Sequence, residues 1–212
     1  MRILVSAYAC EPGSGSEPGV GWTWAEQLST LADVTVITRT NNKAAIEDAA
    51  RQERWVDRVT WVYHDLAPWA LALKRLTQST QGYYVGEQYS VSRRIRKMCS
   101  EAQYDYVHHL TFGNYWLPYL TTALDVETIV GPMGGAECAP IGFALDSIGP
   151  LAFETARNLV RGVCELLPGV RGPARRATAC IAKAPETAAR LRTLGAREVV
   201  VRSEVALPAK LI

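Results

Sequence analysis

The residues best suited to bind an anionic ligand lie near the amino terminus. An apolar run, Arg2–Ala7, leads into a loop that holds Gly15, Gly19 and Gly21, and a helical pattern follows. Glycines let backbone N–H groups approach a phosphate, and the amino end of a helix adds a partial positive charge. The spacing fits neither G-x-G-x-x-G nor the P-loop. Glu11 and Glu17 in this loop would oppose an anion, and we expect them to face solvent or a sugar hydroxyl. The pattern favours a phosphate-binding loop, with a tight turn that binds nothing as the alternative.

A second glycine-rich loop runs from Gly131 to Glu137. Gly134 and Gly135 could present N–H groups to an oxygen-rich ligand. Glu137 either binds a sugar hydroxyl or caps the turn that follows. A purely structural turn stays open as the alternative.

Two adjacent histidines, His108 and His109, end a predicted strand. Neighbouring strand residues point to opposite faces of a sheet, so at most one of the two faces a cleft. A histidine there could accept a proton from a hydroxyl nucleophile, because its pKa lies near neutral pH. A structural role stays equally open for each.

Composition narrows the class of protein. The chain has 212 residues, a net charge of +2 and 48% hydrophobic residues, which predicts a globular protein without a bulk attraction to nucleic acid. Five cysteines without a C-x-x-C pair indicate reduced thiols and no metal site. The apolar run Ile3–Ala9 is too short for a signal peptide, and no segment is long enough to span a bilayer. We therefore expect a cytoplasmic protein.

Short β-rich runs alternate with helical patterns along the chain. This alternation predicts an α/β fold: a Rossmann-like, doubly wound, mainly parallel sheet of about seven strands with helices on both faces. The predicted strands are Arg2–Ala7, Val34–Arg39, Val59–Tyr63, Tyr106–Leu110, Thr128–Gly131, Ala179–Ala182 and Glu198–Arg202.

Helices are predicted between most of these strands. Asn42 is a candidate N-cap, and Pro185 with Gly195 marks the start and end of one helix. Two segments interrupt the alternation: Ala67–Tyr84, a helix and then a loop, and Phe143–Arg176, a helical pair broken at Leu167–Gly169 and Arg171–Pro173. The other predicted helices are Val20–Leu31, Lys43–Gln52, Gly86–Ala102 and Ala184–Leu194.

Ligands of open parallel sheets bind beyond the carboxyl ends of the strands. Four stretches should gather there: Cys10–Gly21, Arg39–Asn42, His108–Asn114 and Gly131–Glu137. We expect the functional site among them.

A mixed basic and apolar cluster lies in the Phe143–Arg176 segment. It could touch anionic lipid at a membrane surface, and the alternative is an ordinary amphipathic helix with a solvated basic face. Its members are Arg157, Arg161, Arg171, Arg175, Arg176, Leu151, Phe153, Leu159, Val160, Leu166 and Leu167.

Taken together, these motifs resemble the N-terminal domain of family-4 glycosyltransferases, which are retaining enzymes with the GT-B fold. Their order and spacing carry the resemblance from the first residue to about Val205. The carrying residues are Met1–Val5, Gly15–Trp22, Val34–Thr38, Tyr104–Thr111, Gly131–Glu137 and Ala184–Gly195.

The resemblance implies half of a two-domain hexosyltransferase of polysaccharide biosynthesis. Such an enzyme moves a sugar from a nucleotide-sugar to a glycan or lipid-linked acceptor and needs no metal or other cofactor. Residues 1–205 would be the acceptor-side domain and residues 206–212 a truncated linker or tail. The donor-binding C-terminal domain would be a missing partner, so we expect this chain to be inactive alone, in the cytoplasm or at the inner face of the membrane.

The resemblance also suggests site residues. Gly15, Gly19 and Gly21 match the loop that approaches the donor diphosphate. The family's histidine after the strand that ends here in Gly131–Ala136 is missing, so its role would fall to His109, the candidate catalytic residue, or to backbone groups of Gly134 and Gly135. The candidate acceptor or sugar contacts are Asn41, Thr111, Gly134, Gly135 and Glu137.

Two other classes compete with a transferase. One is a non-catalytic Rossmann-like module that binds a nucleotide or a glycan. The other is an NAD(P)-dependent oxidoreductase, which the glycine spacing, the lack of an acidic residue in Thr38–Thr40 and the lack of a Tyr-x-x-x-Lys pair all disfavour.

Overall fold

The computed structural model describes residues 1–68, 70, 80–137 and 148–204. Seven parallel strands form one sheet in the order β3-β2-β1-β4-β5-β6-β7. The predicted fold class is therefore confirmed, and all seven predicted strands are present. Their bounds are β1 Arg2–Ser6, β2 Asp33–Thr38, β3 Thr60–Tyr63, β4 Tyr106–His109, β5 Glu127–Met133, β6 Ala179–Ala182 and β7 Val199–Val201.

Helices connect the strands. Two short 3-10 turns, Thr40–Asn42 and Val56–Arg58, lie beside the second helix. The α-helices are α1 Ser16–Leu31, α2 Lys43–Ala49, α3 Thr80–Glu101, α4 Ile148–Cys164, α5 Pro168–Arg176 and α6 Pro185–Leu194. None of these described helices is both long and apolar enough to cross a bilayer.

The sheet is covered on both faces, and strand alternation explains how. Ile3 and Val5 of β1 pack on one side with Trp22 of α1 and Ile46 of α2. Leu4, between them, packs on the other side with the apolar residues of α3, α5 and α6. Burying alternate side chains on opposite faces gives the sheet two cores.

Three predictions about local structure were wrong in whole or in part. Asn42 occupies the N-cap position of α2 but makes no capping hydrogen bond, because its Oδ1 accepts from Asn41 Nδ2 at 2.9 Å. Residues 80–84 begin α3 instead of forming a loop. The predicted helix of the Ala67–Tyr84 segment, Cys138 and the tail at 206–212 lie outside the described residues.

The third error concerns the break predicted at Arg171–Pro173. Helix α5 runs through Pro173, although the predicted break at Leu167–Gly169 is confirmed. A proline inside a helix leaves the carbonyl four residues earlier without its donor. Here that carbonyl belongs to Gly169, and it accepts the N–H of Tyr119 at 3.3 Å. A tertiary hydrogen bond therefore replaces the missing helical one.

The strand order creates one crevice. β1 lies beside both β2 and β4, and the chain leaves β1 toward one edge of the sheet and returns at β4 on the other side. Such a switch point opens a cleft at the carboxyl ends of the two strands. The loops after β1 and β4 border it.

Candidate functional site

The glycines of the first loop have unequal surroundings. A Cβ on Gly21 would lie 2.1 Å from the Ala9 carbonyl oxygen, and one on Gly19 would lie 2.2 Å from that of Ser14. Both glycines lie inside α1, so their lack of a side chain lets the helix pack against its own preceding loop. Their role in binding a diphosphate stays a prediction.

The open part of this loop lies one turn earlier. A Cβ on Gly13 or Gly15 would meet nothing within 4 Å. The backbone N–H groups of Gly13, Ser14 and Gly15 donate to no acceptor within the described part of the chain. Gly15 is the N-cap of α1, and no side chain caps that helix end. This helix start has the free donors and the dipole that suit an anion.

The backbone at this helix start is also unusual. Gly13 and Ser16 both have positive φ, 67° and 58°. Across the crevice, Phe112 in the loop after β4 has a φ of 60°. Left-handed residues other than glycine concentrate at functional sites. The two loops that border the switch point share this feature.

A cleft of about 730 Å³ lies beside the first loop, against α1. Gly15 and Gly19 line it, but so do Glu26 and Glu53. The carboxylates of Glu26 and Glu53 oppose the binding of an anion in this cleft, whereas the free N–H groups at residues 13–15 and the dipole of α1 favour it.

The loop after β4 is tied to the first loop. Thr111, which is buried, accepts the Ala9 N–H on its Oγ1 at 3.0 Å. The Gly113 N–H donates to Glu17 Oε1 at 3.1 Å. Thr111 therefore holds the two loops together, and its assignment to the acceptor stays a prediction.

A charged cluster lies at the same edge. Lys183, directly after β6, forms an ion pair with Glu204, which follows β7. Burial raises the pKa of Glu17, and the nearby charge of Lys183 opposes that shift. Lys183 also helps to lower the pKa of Glu137. One lysine thus lies near carboxylates from three different segments of the chain.

The second glycine loop uses its own N–H groups. Gly134 donates to the Gly113 carbonyl at 2.6 Å, and Gly135 donates to Glu137 Oε2 at 2.7 Å. Glu137 also accepts the Thr187 hydroxyl at 2.9 Å. Partial burial would raise the pKa of Glu137, but these hydrogen bonds outweigh it and lower the pKa. Glu137 thus joins its own loop to α6. The turn after Glu137 lies outside the described residues, so its capping role and the acceptor role of all three residues stay predictions.

The two histidines point to opposite faces, as predicted, and both are buried. His108 Nε2 donates to the Gly131 carbonyl at 2.7 Å. His109 stacks on Tyr119 and lies 3.4 Å from Tyr84 Oη, with no partner for Nδ1 in the described part of the chain. Burial lowers the pKa of His109 to about 3. Its ring does not reach the cleft surface, so the structural alternative fits this geometry better than proton transfer.

Asn41 lies apart from the other predicted residues, exposed after β2. Its turn is fixed by Asp65, which accepts the Thr40 N–H at 3.2 Å and the Arg39 side chain at 3.2 Å. The Arg39 guanidinium lies 5.0 Å from the ring centre of Tyr8. This edge of the sheet therefore presents a polar, cation-bearing surface four strands from Lys183.

Below this surface lies a buried carboxyl group, Glu87 of α3. It accepts a hydrogen bond from Gln88 at 2.9 Å and is 3% exposed. Burial raises the pKa of Glu87 to about 8, although the Arg39 charge partly offsets the rise. Glu87 is therefore a buried, neutral carboxylic acid beneath the surface that Arg39 and Asp65 form.

Sequence reasoning missed Lys183, Asp65 and Glu87, and it expected Glu17 to face solvent or a sugar. Lys183 could have been found, since it directly follows a predicted strand at the edge where ligands bind. The other three depend on contacts between distant segments. Among the described residues, no group of three His, Cys, Asp or Glu side chains is placed to hold a metal ion.

Comparison with known proteins identifies a fold relative but no family. No family model matches the chain, and no curated protein matches it. A sucrose-phosphate synthase from Thermosynechococcus elongatus has a similar structure, with a TM-score of 0.52 and 13% identity. The match covers 95% of this chain and 47% of that one, so the chain spans about half the neighbour's length. The fold therefore resembles that of a glycosyltransferase domain.

Proposed function

We propose that this chain is the acceptor-side half of a family-4, retaining glycosyltransferase. With a donor-binding C-terminal domain as partner, it would transfer a hexose from a nucleotide-sugar to a glycan or lipid-linked acceptor in polysaccharide biosynthesis. Alone it would bind but not transfer. The proposal places it in the cytoplasm.

One observation carries the proposal: an uncapped helix start and a lysine face the same switch point. Gly13, Ser14 and Gly15 offer free N–H groups, and Lys183 lies within electrostatic reach of Glu17 in the first turn of α1. A leaving diphosphate needs this kind of fixed positive potential. The glycosyltransferase-like fold adds support from an independent direction.

The acceptor would lie on the exposed part of the edge. Asn41 and Glu137 are exposed, so both can reach a sugar hydroxyl. Thr111 and Gly134 are buried, and in this proposal they shape the loops that the acceptor contacts. His109 would support the cleft floor through Tyr84 and Tyr119.

The test is a calorimetric titration of the chain with UDP, GDP, UDP-glucose and GDP-mannose. Gly15→Asp introduces a negative charge at the helix start without a steric clash, because a Cβ there meets nothing. Gly15→Asn is the matched neutral control. We expect weak binding that Gly15→Asp abolishes and Gly15→Asn retains.

Lys183→Met provides a second arm, with exposed Arg58→Met as its control. Loss of one cation near a diphosphate should weaken binding about tenfold, as for a partly buried charge-assisted contact. Equal binding by Gly15→Asp and Gly15→Asn would remove the diphosphate from the first loop. Binding of none of the four ligands would contradict the donor-loop proposal for this half.

A further inference from the structure

Lys183 is a cation with a fixed position at the carboxyl edge of the sheet. Its backbone N–H donates to the Met133 carbonyl at 2.8 Å, directly after β6. A Cβ on Gly134 would lie 3.0 Å from Lys183 Cδ, so the stem of the lysine lies against the second glycine loop. The side chain of Lys183 is 25% exposed. Its ammonium group is therefore carried to one place beside the crevice.

Glu204 binds this ammonium group. The ion pair joins Lys183 to the segment that follows β7. The backbone of that segment is fixed independently, because Trp24 Nε1 of α1 donates to the Glu204 carbonyl at 3.1 Å. One turn of chain earlier, the Arg202 N–H donates to the Ala182 carbonyl at 2.9 Å. These two neutral hydrogen bonds keep the Glu204 carboxylate beside Lys183 and give it a high effective concentration there.

A second protein carboxylate lies near the same lysine. Glu17, in the first turn of α1, accepts the Gly113 N–H at 3.1 Å. Burial raises the pKa of Glu17, the charge of Lys183 opposes the rise, and the charge of Glu204 adds to it. Phe112, directly before Gly113, has a φ of 60°, and successive N–H groups beside a left-handed residue form a concavity that binds anions. Carboxylates of the protein thus occupy both features that attract an anion here.

We propose that Glu204 is an internal competitor of the diphosphate, whose carboxylate occupies Lys183 until the ligand displaces it. The inference rests on the proposed function, since it takes a diphosphate site at the switch point as its premise. The ion pair is neutral, so Lys183 offers an incoming diphosphate no net positive charge until the carboxylate moves away. Carboxylate and phosphate oxygens make the same charge-assisted contact with an ammonium group.

Glu204 is the carboxylate that can leave. Its side chain is 36% exposed, so water can solvate it once the ion pair opens. Glu17 is held by the Gly113 N–H and is less accessible. The apparent affinity for a diphosphate then falls by the fraction of molecules in which the Lys183–Glu204 pair is open.

The test is a calorimetric titration of the full chain with inorganic pyrophosphate, which carries the charge of a diphosphate without requiring a nucleotide pocket. Glu204→Gln removes the competing charge and keeps the backbone carbonyl that Trp24 binds. It should bind pyrophosphate about fivefold more tightly than the parent chain, as expected for the loss of a partly exposed ion pair. The matched control is Glu198→Gln, which removes the same charge at an exposed position just before β7. It should bind like the parent chain.

Lys183→Met separates competition for the lysine from a general effect of charge. In a Lys183→Met background, Glu204→Gln should not bring the fivefold gain, because no cation remains to compete for. An equal gain in both backgrounds would overturn the proposal, since Glu204 would then act only by repelling the ligand.

The outcomes also separate this inference from the proposed function. Equal binding of pyrophosphate by the parent chain and by Glu204→Gln leaves the diphosphate site in place and overturns the competition. Binding by neither protein contradicts the diphosphate site itself, and the competition is then overturned with it. Binding by Glu204→Gln alone supports both, because the parent site is then closed by its own carboxylate.

Discussion

At the scale of single residues, Gly15 and Gly21 have different structural roles. Gly21 has no room for a side chain, because the Ala9 carbonyl occupies the place of its Cβ. Gly15 has open space there and an ordinary φ of −79°. Only Gly21 is therefore required by packing, and only Gly15 is free to meet a ligand.

This difference predicts opposite results for one substitution. Gly21→Ala should destabilise the fold by about 3 kcal/mol or more, since a backbone carbonyl cannot yield as a side chain does. Gly15→Ala should change stability by less than about 1 kcal/mol, because alanine is a poorer N-cap than glycine but also lowers the conformational entropy of the unfolded chain, and the two effects oppose each other. Urea unfolding of both variants measures this. Similar midpoints would show that α1 can move away from its loop.

The same residues show how far the sequence could predict the site. Glycines after a strand correctly placed a loop at the switch point, because their position follows from chain order. Chain order could not show that the N–H groups of Gly134 and Gly135 donate to Gly113 and Glu137. Nor could it show that His109 is sealed beneath Tyr84. Those facts depend on which segments meet.

At the scale of elements, one buried carboxylate joins α4 to two other segments. Glu165 lies at its carboxyl end and accepts the Tyr115 hydroxyl and the Arg190 guanidinium. It joins α4 to α6 and to the loop after β4. Arg161 is a second tie, since its guanidinium donates to the Glu137 carbonyl at 3.3 Å.

Glu165→Ala should therefore loosen α4. It leaves a buried hydroxyl and a guanidinium without their acceptor, at a cost of about 2–4 kcal/mol. Glu154→Ala is the matched control on the same helix. Its partner Arg157 is only three residues away, so its loss should cost no more than about 1 kcal/mol. Hydrogen exchange should show faster opening of residues 148–164 in the first variant alone, and equal rates would contradict the anchoring role.

The presence of strands and helices was predicted better than their irregular features. Short apolar runs, most of them rich in Val and Ile, correctly predicted the seven strands, because a sheet covered on both faces is apolar along most of each strand. The proline in α5 was read as a break, since its tolerance depends on Tyr119 from another segment. Periodicity also could not show that α4 exposes Phe153, Leu159 and Val163, because it indicates that a helix is amphipathic but not which face is buried.

At the scale of the whole molecule, buried ionisable groups set the pH of greatest stability. Burial lowers the pKa of His108 to about 4 and that of His109 to about 3, from about 6.5 in an unfolded chain. Below about pH 6.5 the two histidines therefore bind protons in the unfolded chain but not in the folded protein. Stability falls as the pH falls through that range.

Glu87 acts in the opposite direction. Burial raises its pKa from about 4.5 to about 8, so between those values the folded protein holds a proton that the unfolded chain has lost. Stability then falls as the pH rises, until Glu87 ionises in the folded state near pH 8. The raised pKa of Glu17 acts in the same sense. Below about pH 6.5 the two histidines change the free energy of unfolding with pH more than Glu87 does. Above about pH 6.5 the contribution of Glu87 is the larger one.

The free energy of unfolding should therefore peak near pH 6.5. Glu87→Gln keeps an acceptor for Gln88 but cannot ionise, so it should remove most of the decline above the peak and add up to about 3 kcal/mol at pH 7. Exposed Glu47→Gln is the control and should leave the curve unchanged. Urea unfolding from pH 5 to 9 measures all three proteins. If the parent and Glu87→Gln curves coincide, the pKa of Glu87 in the folded protein is ordinary, and its carboxyl group is not kept neutral by burial.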